Sequence, residues 1–386
     1  MKRINSIDIV RGIVMVIMAL DHVRDLMHVT SITQSPTDLS TTTPILFFTR
    51  WITYLCAPIF VFLAGTSAYI SFKKKNDIPG SRSFLIKRGI YLIVLDLLVV
   101  NLILFFDPLF HTILFEVIAT IGFGFIILGL LLKASSKAIG LLGLLIICCH
   151  NLLPLVPFPE NSVLKAIIAP LFGPGAFPFS NKVLVMAYPP IPWLGIMLVG
   201  FAAGRYFEWA EEKRKQLFIK MGVIALLLFV LIRFINLYGD PAPWAYQKSG
   251  MFTFLSFMNV TKYPPSLQFC LVTLGIMFLM LAFTEGALGK LSGMISVYGR
   301  VPLFYFLVHF LLIHCLMVAL MFLQGFSPPQ LDFASGTFGR PKGVQSGVNL
   351  GLIYIIWMGV VLSLYQPCAW FGRYKQNGKQ WWLKYM

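Results

Sequence analysis

Charge is scarce in this chain. Only 12% of its 386 residues are charged, and just 15 of them are acidic. A soluble domain has about 25%, and so little charge cannot furnish the polar surface that a soluble protein of this size presents. An ordinary soluble globular fold, a disordered chain and a coiled coil are therefore excluded. Cysteine is sparse too. Cys56, Cys148, Cys149, Cys270, Cys315 and Cys368 all lie in or beside apolar stretches, and none shows C-x-x-C spacing. That excludes a disulfide scaffold, and Cys148-Cys149-His150 is not a zinc pattern. These cysteines read as small hydrophobes in helices. No P-loop, Rossmann glycine run or nucleophile elbow is present, and no H-E-x-x-H or Glu-x-x-His spacing, so no metal site is expected. No internal repeat is visible, which counts against an inverted-repeat transporter.

Apolar residues fill the gap. They make up 58% of the chain before its 31 glycines are counted. Stretches long enough to span a bilayer fall near 8–28, 45–72, 88–106, 112–132, 137–153, 190–208, 217–238, 266–285, 300–323 and 348–370. The pattern predicts a single domain over 1–386: an all-α polytopic membrane helix bundle of about ten transmembrane helices. The opening Met-Lys-Arg and the apolar Ile13–Leu20 have the look of a signal peptide. The exit, Asp21-His22-Val23-Arg24-Asp25, is no small-residue cleavage site, so the segment reads as a retained first helix.

The net charge is +16. In a soluble chain that would suggest nucleic acid, but no dense basic block interleaved with aromatics is present. The positive-inside rule explains it better. With an even number of spans both termini share one side, and 22 of the 31 basic residues fall on that side. Both termini are therefore expected in the cytoplasm. Two long outer loops, about 154–189 and 239–265, each close with Tyr-Pro-Pro, which suits a helix start. Gly173-Pro174-Gly175 is compatible with a re-entrant or interfacial piece. The Gly195–Gly204 stretch reads as close helix packing.

Ionisable residues inside the apolar segments are the sharpest signal. Charges facing lipid at mid-span cost about 2.5–3.5 kcal/mol each. At ~100° per residue, Asp21, Asp25 and His28 share one sector of the first helix, with Arg24 on one flank and His22 on the other. Further polar residues are Arg50, Asp96, Asn101, Glu116, Arg233 and Asn236, and the ninth span carries Tyr305, His309 and His314. Together they fall in the middle and outer half of the bundle, where one cavity could collect them. Two functional classes fit: an acid–base site, or a transporter or flippase with an ion or proton relay through Asp96, Glu116 and Arg233. A scaffold without chemistry is disfavoured by the three histidines His22, His28 and His309.

Several segments carry a resemblance. They are Ser6–Gly12, Asp21-His22-Val23-Arg24-Asp25, Arg88-Gly89 with Asp96, Glu116-Val117-Ile118, Ile191–Gly195, Asn259–Ser266, and Gly299–Tyr305 with His309. In order along the chain, they resemble the catalytic domain of heparan-alpha-glucosaminide N-acetyltransferase and its bacterial relatives. The resemblance implies a multi-pass acyltransferase of the bacterial cytoplasmic membrane. It implies acetyl-CoA as the cytosolic donor and an amino sugar or glycan on the far side as acceptor, N- or O-acylated. The eukaryotic enzymes end this first helix with an asparagine, followed about ten residues later by a proposed catalytic histidine. Here His22 holds the asparagine's position and His28 follows at shorter spacing.

A neutral imidazole suits removal of a proton from an attacking amine. His28 or His22 is the expected base, with Asp25 or Asp21 orienting the ring and His309 as third partner. Arg24, Arg50, Asp96, Asn101, Glu116, Arg233 and Tyr305 are expected to support the site. Lys87, Arg88 and Arg300 are the expected basic contacts to CoA. Membrane lipids and the acceptor are the expected partners, nucleic acid is not, and homo-oligomerisation stays open.

Overall fold

A computed structural model describes residues 4–155 and 163–386. The helices are α1 (Asn5–Met27), α2 (Pro44–Ile52), α3 (Cys56–Lys75), α4 (Ile78–Leu95), α5 (Asn101–Phe105), α6 (Val117–Leu131), α7 (Ser136–Cys149) and α8 (Val163–Phe172). They continue with α9 (Pro190–Ala203), α10 (Glu211–Ile235), α11 (Gly250–Met258), α12 (Leu267–Thr284), α13 (Lys290–Arg300), α14 (Pro302–Leu323) and α15 (Leu350–Asn377). The chain is an all-α membrane bundle. Seven helical stretches among the described residues are long and apolar enough to cross a membrane: Pro44–Lys75, Ile78–Phe105, Ser136–Leu153, Glu211–Ile235, Leu267–Thr284, Pro302–Leu323 and Leu350–Asn377. Of the other expected spans, α1 has the length at 23 residues but carries five acidic and basic residues. Helices α6 and α9 are shorter, at 15 and 14 residues.

Helix starts follow local chemistry. Thr43, Asp77, Ser135, Ser249, Ser266 and Asn349 each accept a hydrogen bond from a first-turn amide, satisfying a donor that the helix itself leaves unpaired. Pro190 opens α9 as expected. The second Tyr-Pro-Pro instead precedes the helix, and Ser266 caps α12.

A small sheet departs from the all-helical expectation. Strands β1 (Thr112–Phe115), β2 (Gly175–Phe179) and β3 (Lys182–Met186) pair in the order β1-β3-β2, with β1 parallel and β2 antiparallel to β3. The span expected at 112–132 therefore begins at Val117. The residues Thr112–Phe115 are of strand-forming type, and the Asn101 side chain holds both the amide and the carbonyl of Leu114 at 2.6 and 2.9 Å. Gly173-Pro174 links α8 to β2, which begins at Gly175. The part of that loop at 156–162 lies outside the described residues.

Helix α1 sits at the centre, packed against α3, α12, α13, α14 and α15. Close crossings pair glycines: Gly65 and Gly200 for α3 and α9 and Gly143 and Gly195 for α7 and α9, as the Gly195–Gly204 stretch predicts, and also Gly12 and Gly299 for α1 and α13 and Gly89 and Gly122 for α4 and α6. A Cβ at any of these would press on the partner helix's backbone. Such approach replaces the hydrophobic drive that lipid does not provide.

Candidate active site

The polar residues of α1 divide between two faces. On one face, His22 Nδ1 lies 2.6 Å from His309 Nε2 on α14. On the other, Arg24 contacts Asp21 at 2.8 Å and Asp25 at 2.7 Å, and Arg50 reaches Asp21 at 2.5 Å and Asp25 at 3.9 Å. This separation follows from the wheel, which puts His22 and Arg24 on opposite flanks of the sector.

Hydrogen-bond direction fixes the tautomers of the histidine pair. His309 Nδ1 lies 2.8 Å from the Tyr305 carbonyl, which can only accept, so His309 carries a proton on Nδ1. Neutral His309 then accepts at Nε2, and His22 donates from Nδ1. His22 Nε2 is left with its lone pair and has no hydrogen-bond partner among the described residues. His309 is fully buried and stacks on Tyr305 at 5.1 Å between ring centroids. His22 is half-buried, with its ring tilted 30° against Phe310 at 3.9 Å and edge-on to Phe306 at 6.4 Å. His309, not Asp21 or Asp25, orients the His22 ring, because the arginines occupy both carboxylates.

Two cavities lie along α1, one lined by residues before His22 and one by residues after it. The first, about 220 Å³, has an apolar wall including Met15, Met18, Ile121, Phe125 and Phe306, interrupted by Arg11, Arg88, Arg300 and Lys375. The second, about 370 Å³, is polar and is lined by Arg24, Asp25, Arg50, Tyr54, Asn259, Thr261, Lys262 and Tyr263 among others. On α1 the apolar cavity stops at Met18, about 6 Å before His22 at 1.5 Å per residue, and the polar cavity begins at Arg24 just beyond it. Neither histidine is a wall residue of either cavity.

The other expected residues are placed as follows. Arg88 and Arg300 line the apolar cavity, and Arg88 also lies over the Phe125 ring at 5.0 Å. Lys87, one residue earlier on α4, is exposed and lines neither cavity. His28 is not brought to the pair. It ends α1 in an extended conformation, its ring meets the Thr30 hydroxyl at 3.1 Å, and Arg340 grips its carbonyl at 2.8 Å. Asp96 accepts the Glu116 amide at 3.0 Å, and Asn101 ties down β1. Both brace the segment that delivers Glu116 towards Asp21, Asp25 and Lys262, whose charges it feels. Arg233 donates to four carbonyls, those of Phe257, Ala242, Ser256 and Asn259, and so shapes the loop that bears Lys262.

Sequence reasoning passed over Arg11, Lys375, Tyr54 and Lys262. Arg11, within the Ser6–Gly12 segment, reaches the Leu63 carbonyl and Ser67 Oγ at 2.9 and 2.6 Å. Lys262 sits within the Asn259–Ser266 segment that carries the resemblance, and a lysine in an apolar chain's outer loop was its available signal.

One family model, described as heparan-alpha-glucosaminide N-acetyltransferase, catalytic, matches residues 3–237. The match takes in α1 through α10, including His22, the Asp21–Arg24–Asp25–Arg50 cluster and Arg88, and stops before Lys262, Arg300 and His309. No curated protein matches the chain.

Proposed function

The chain belongs to the heparan-alpha-glucosaminide N-acetyltransferase catalytic-domain family of membrane acetyltransferases, and from that premise we propose that it moves an acetyl group from acetyl-CoA to an amino sugar or glycan across the membrane, with His22 as general base. The observation that carries this reading is the pair of cavities, one apolar with basic groups and one polar, lined on α1 by residues before and after the His22 that meets His309.

The apolar cavity suits the donor. Arg11, Arg88, Arg300 and Lys375 offer charge to CoA phosphates, and Met15, Met18 and Phe306 offer a dry wall to the pantetheine arm. From Arg11 to His22 the helix rises about 16 Å, a distance that an extended pantetheine arm covers. The polar cavity suits a hydroxyl-rich acceptor, with the Asp25 carboxylate and the Asn259 amide as hydrogen-bonding groups and Tyr54 as an aromatic surface. Counting basic residues by loop puts the termini, and with them the donor cavity, in the cytoplasm where acetyl-CoA is made.

The acceptor amine attacks the thioester carbon and gives its proton to His22 Nε2. The C–S bond then breaks with its electron pair on sulfur, and His22 returns the proton to the thiolate. His309 accepts from His22 Nδ1–H throughout, holding the reactive tautomer and supporting the imidazolium as it forms. Two members of the relay that a transporter would need hold backbone groups: Asp96 accepts an amide and Arg233 donates to four carbonyls.

The test uses purified protein in nanodiscs with acetyl-CoA labelled in its acetyl group and glucosamine as acceptor. Labelled N-acetylglucosamine is expected, and acetyl-CoA should raise the melting temperature. A protein that binds neither acetyl-CoA nor CoA is not this enzyme.

A further inference from the structure

We infer that Lys262 is a catalytic residue of the proposed transfer, its ammonium taking up the negative charge that develops on the thioester oxygen as the acceptor attacks. The inference rests on the acetyltransferase reading above and adds the group that the His22–His309 pair cannot supply.

Lys262 is 6% exposed. Its Nζ lies 4.9, 5.7 and 5.9 Å from the ring centroids of Tyr263, Tyr188 and Tyr54. Among the described residues no carboxylate stands within ion-pair distance of it. The two carboxylates of the polar cavity's cluster, Asp21 and Asp25, are already bound by Arg24 and Arg50. A desolvated ammonium without a carboxylate partner is costly to keep, and sites where charge develops are where such groups are held.

Position selects the oxygen of the reacting thioester over a remote anionic group on the acceptor. Lys262 lines the polar cavity together with Arg24, which stands two residues beyond His22 on α1. The carbonyl that reacts must lie where His22 Nε2 can reach the attacking nitrogen, and the cavity that would present that nitrogen is walled by Lys262. The backbone bearing it is fixed in advance. Asp240 holds the Thr261 amide and hydroxyl at 2.8 Å each and the Ser266 hydroxyl at 2.6 Å, while Arg233 holds the Asn259 carbonyl at 2.9 Å. An independent sign of a ligand in the same cavity is Arg24. It is 1% exposed and lines the cavity, yet its Nε has no partner among the described residues.

In the step, the acceptor nitrogen forms its bond to the carbonyl carbon and the C=O π pair moves onto oxygen, opposite the ammonium. That pair returns as the C–S bond breaks and the thiolate departs. Lys262 keeps its proton throughout, and the acceptor's proton passes through His22.

The experiment compares wild type, Lys262→Met, Lys262→Gln and Lys262→Arg, full length in nanodiscs, with acetyl-CoA and glucosamine. Loss of one such stabilising group lowers kcat by about 10²–10³-fold. Both neutral variants are expected to show that loss with both KM values nearly unchanged, and Lys262→Arg should recover part of it. The acetyl-CoA thermal shift should persist in every variant, which separates catalysis from folding and from donor binding. Neutral variants that keep kcat, or that raise only the KM for glucosamine, overturn the inference while leaving the acetyltransferase reading intact. A wild type that binds acetyl-CoA but transfers nothing overturns both.

Discussion

Removing His309 while leaving His22 in place tests whether the imidazole chain works as its hydrogen bonds dictate. His309→Phe fills the site among Tyr305, Phe306 and Phe310 with a ring of similar shape but withdraws the acceptor for His22 Nδ1–H. A hydrogen bond of this kind contributes about 0.5–1.5 kcal/mol. Without it, His22 is no longer held with its lone pair on Nε2, and a loss of kcat of up to about tenfold follows, since 1.36 kcal/mol is tenfold. Loss of the base itself, in His22→Ala, costs about 10²–10⁴-fold. Because His309 acts only through His22, the double variant His22→Ala/His309→Phe should be no slower than His22→Ala alone. Single-turnover acetyl transfer measures all three. Full activity in His22→Ala would refute the assignment of the base. A His309→Phe loss larger than the His22→Ala loss, persisting in the double variant, would show that His309 has a role of its own.

Three other outcomes follow from the packing and the cavities. Arg24→Leu leaves Asp21 and Asp25 with only Arg50, and breaking such a buried ion network costs about 3–5 kcal/mol; a chemical or thermal melt in detergent should register it, and an unshifted melt would mean the network is solvated. Gly12→Leu drives a side chain into the Ile295 backbone of α13, so the protein should lose its cooperative melt, whereas Gly359→Leu on α15, where nothing lies within 4 Å, should melt as wild type does. Arg300→Ala should weaken acetyl-CoA binding by about 1.5–3 kcal/mol, the contribution of a hydrogen bond to a charged group, whereas Lys87→Ala should leave it unchanged; equal effects would place CoA elsewhere.

Composition and periodicity alone made this a membrane helix bundle, because lipid demands long apolar stretches whose backbone bonds close internally. They also flagged His22, His309 and the Asp21–Arg24–Asp25 sector, since ionisable residues stand out where nearly everything else is apolar. The close approach of the Gly195–Gly204 helix was legible for a similar reason: in lipid, close backbone approach drives helices together. The strand at Thr112–Phe115 was not legible, because a short apolar run reads alike as a helix turn or a strand until Asn101 arrives from another segment to hold Leu114. Nor could spacing choose between His22 and His28. The contacts come from the packing: α14 crosses α1 so that His309 meets His22, while the loop bearing Arg340 claims the His28 carbonyl, and this favours His22 in the proposed role. Lys262 shows the same limit: 241 residues from Asp21 in sequence, it joins the site only because α10, α11 and α12 fold its loop over the end of α1. The sequence determined which groups the bilayer would have to hide; contacts between distant segments decided which of them share a cavity, because a pairing distance is a property of the packed helices and not of any one of them.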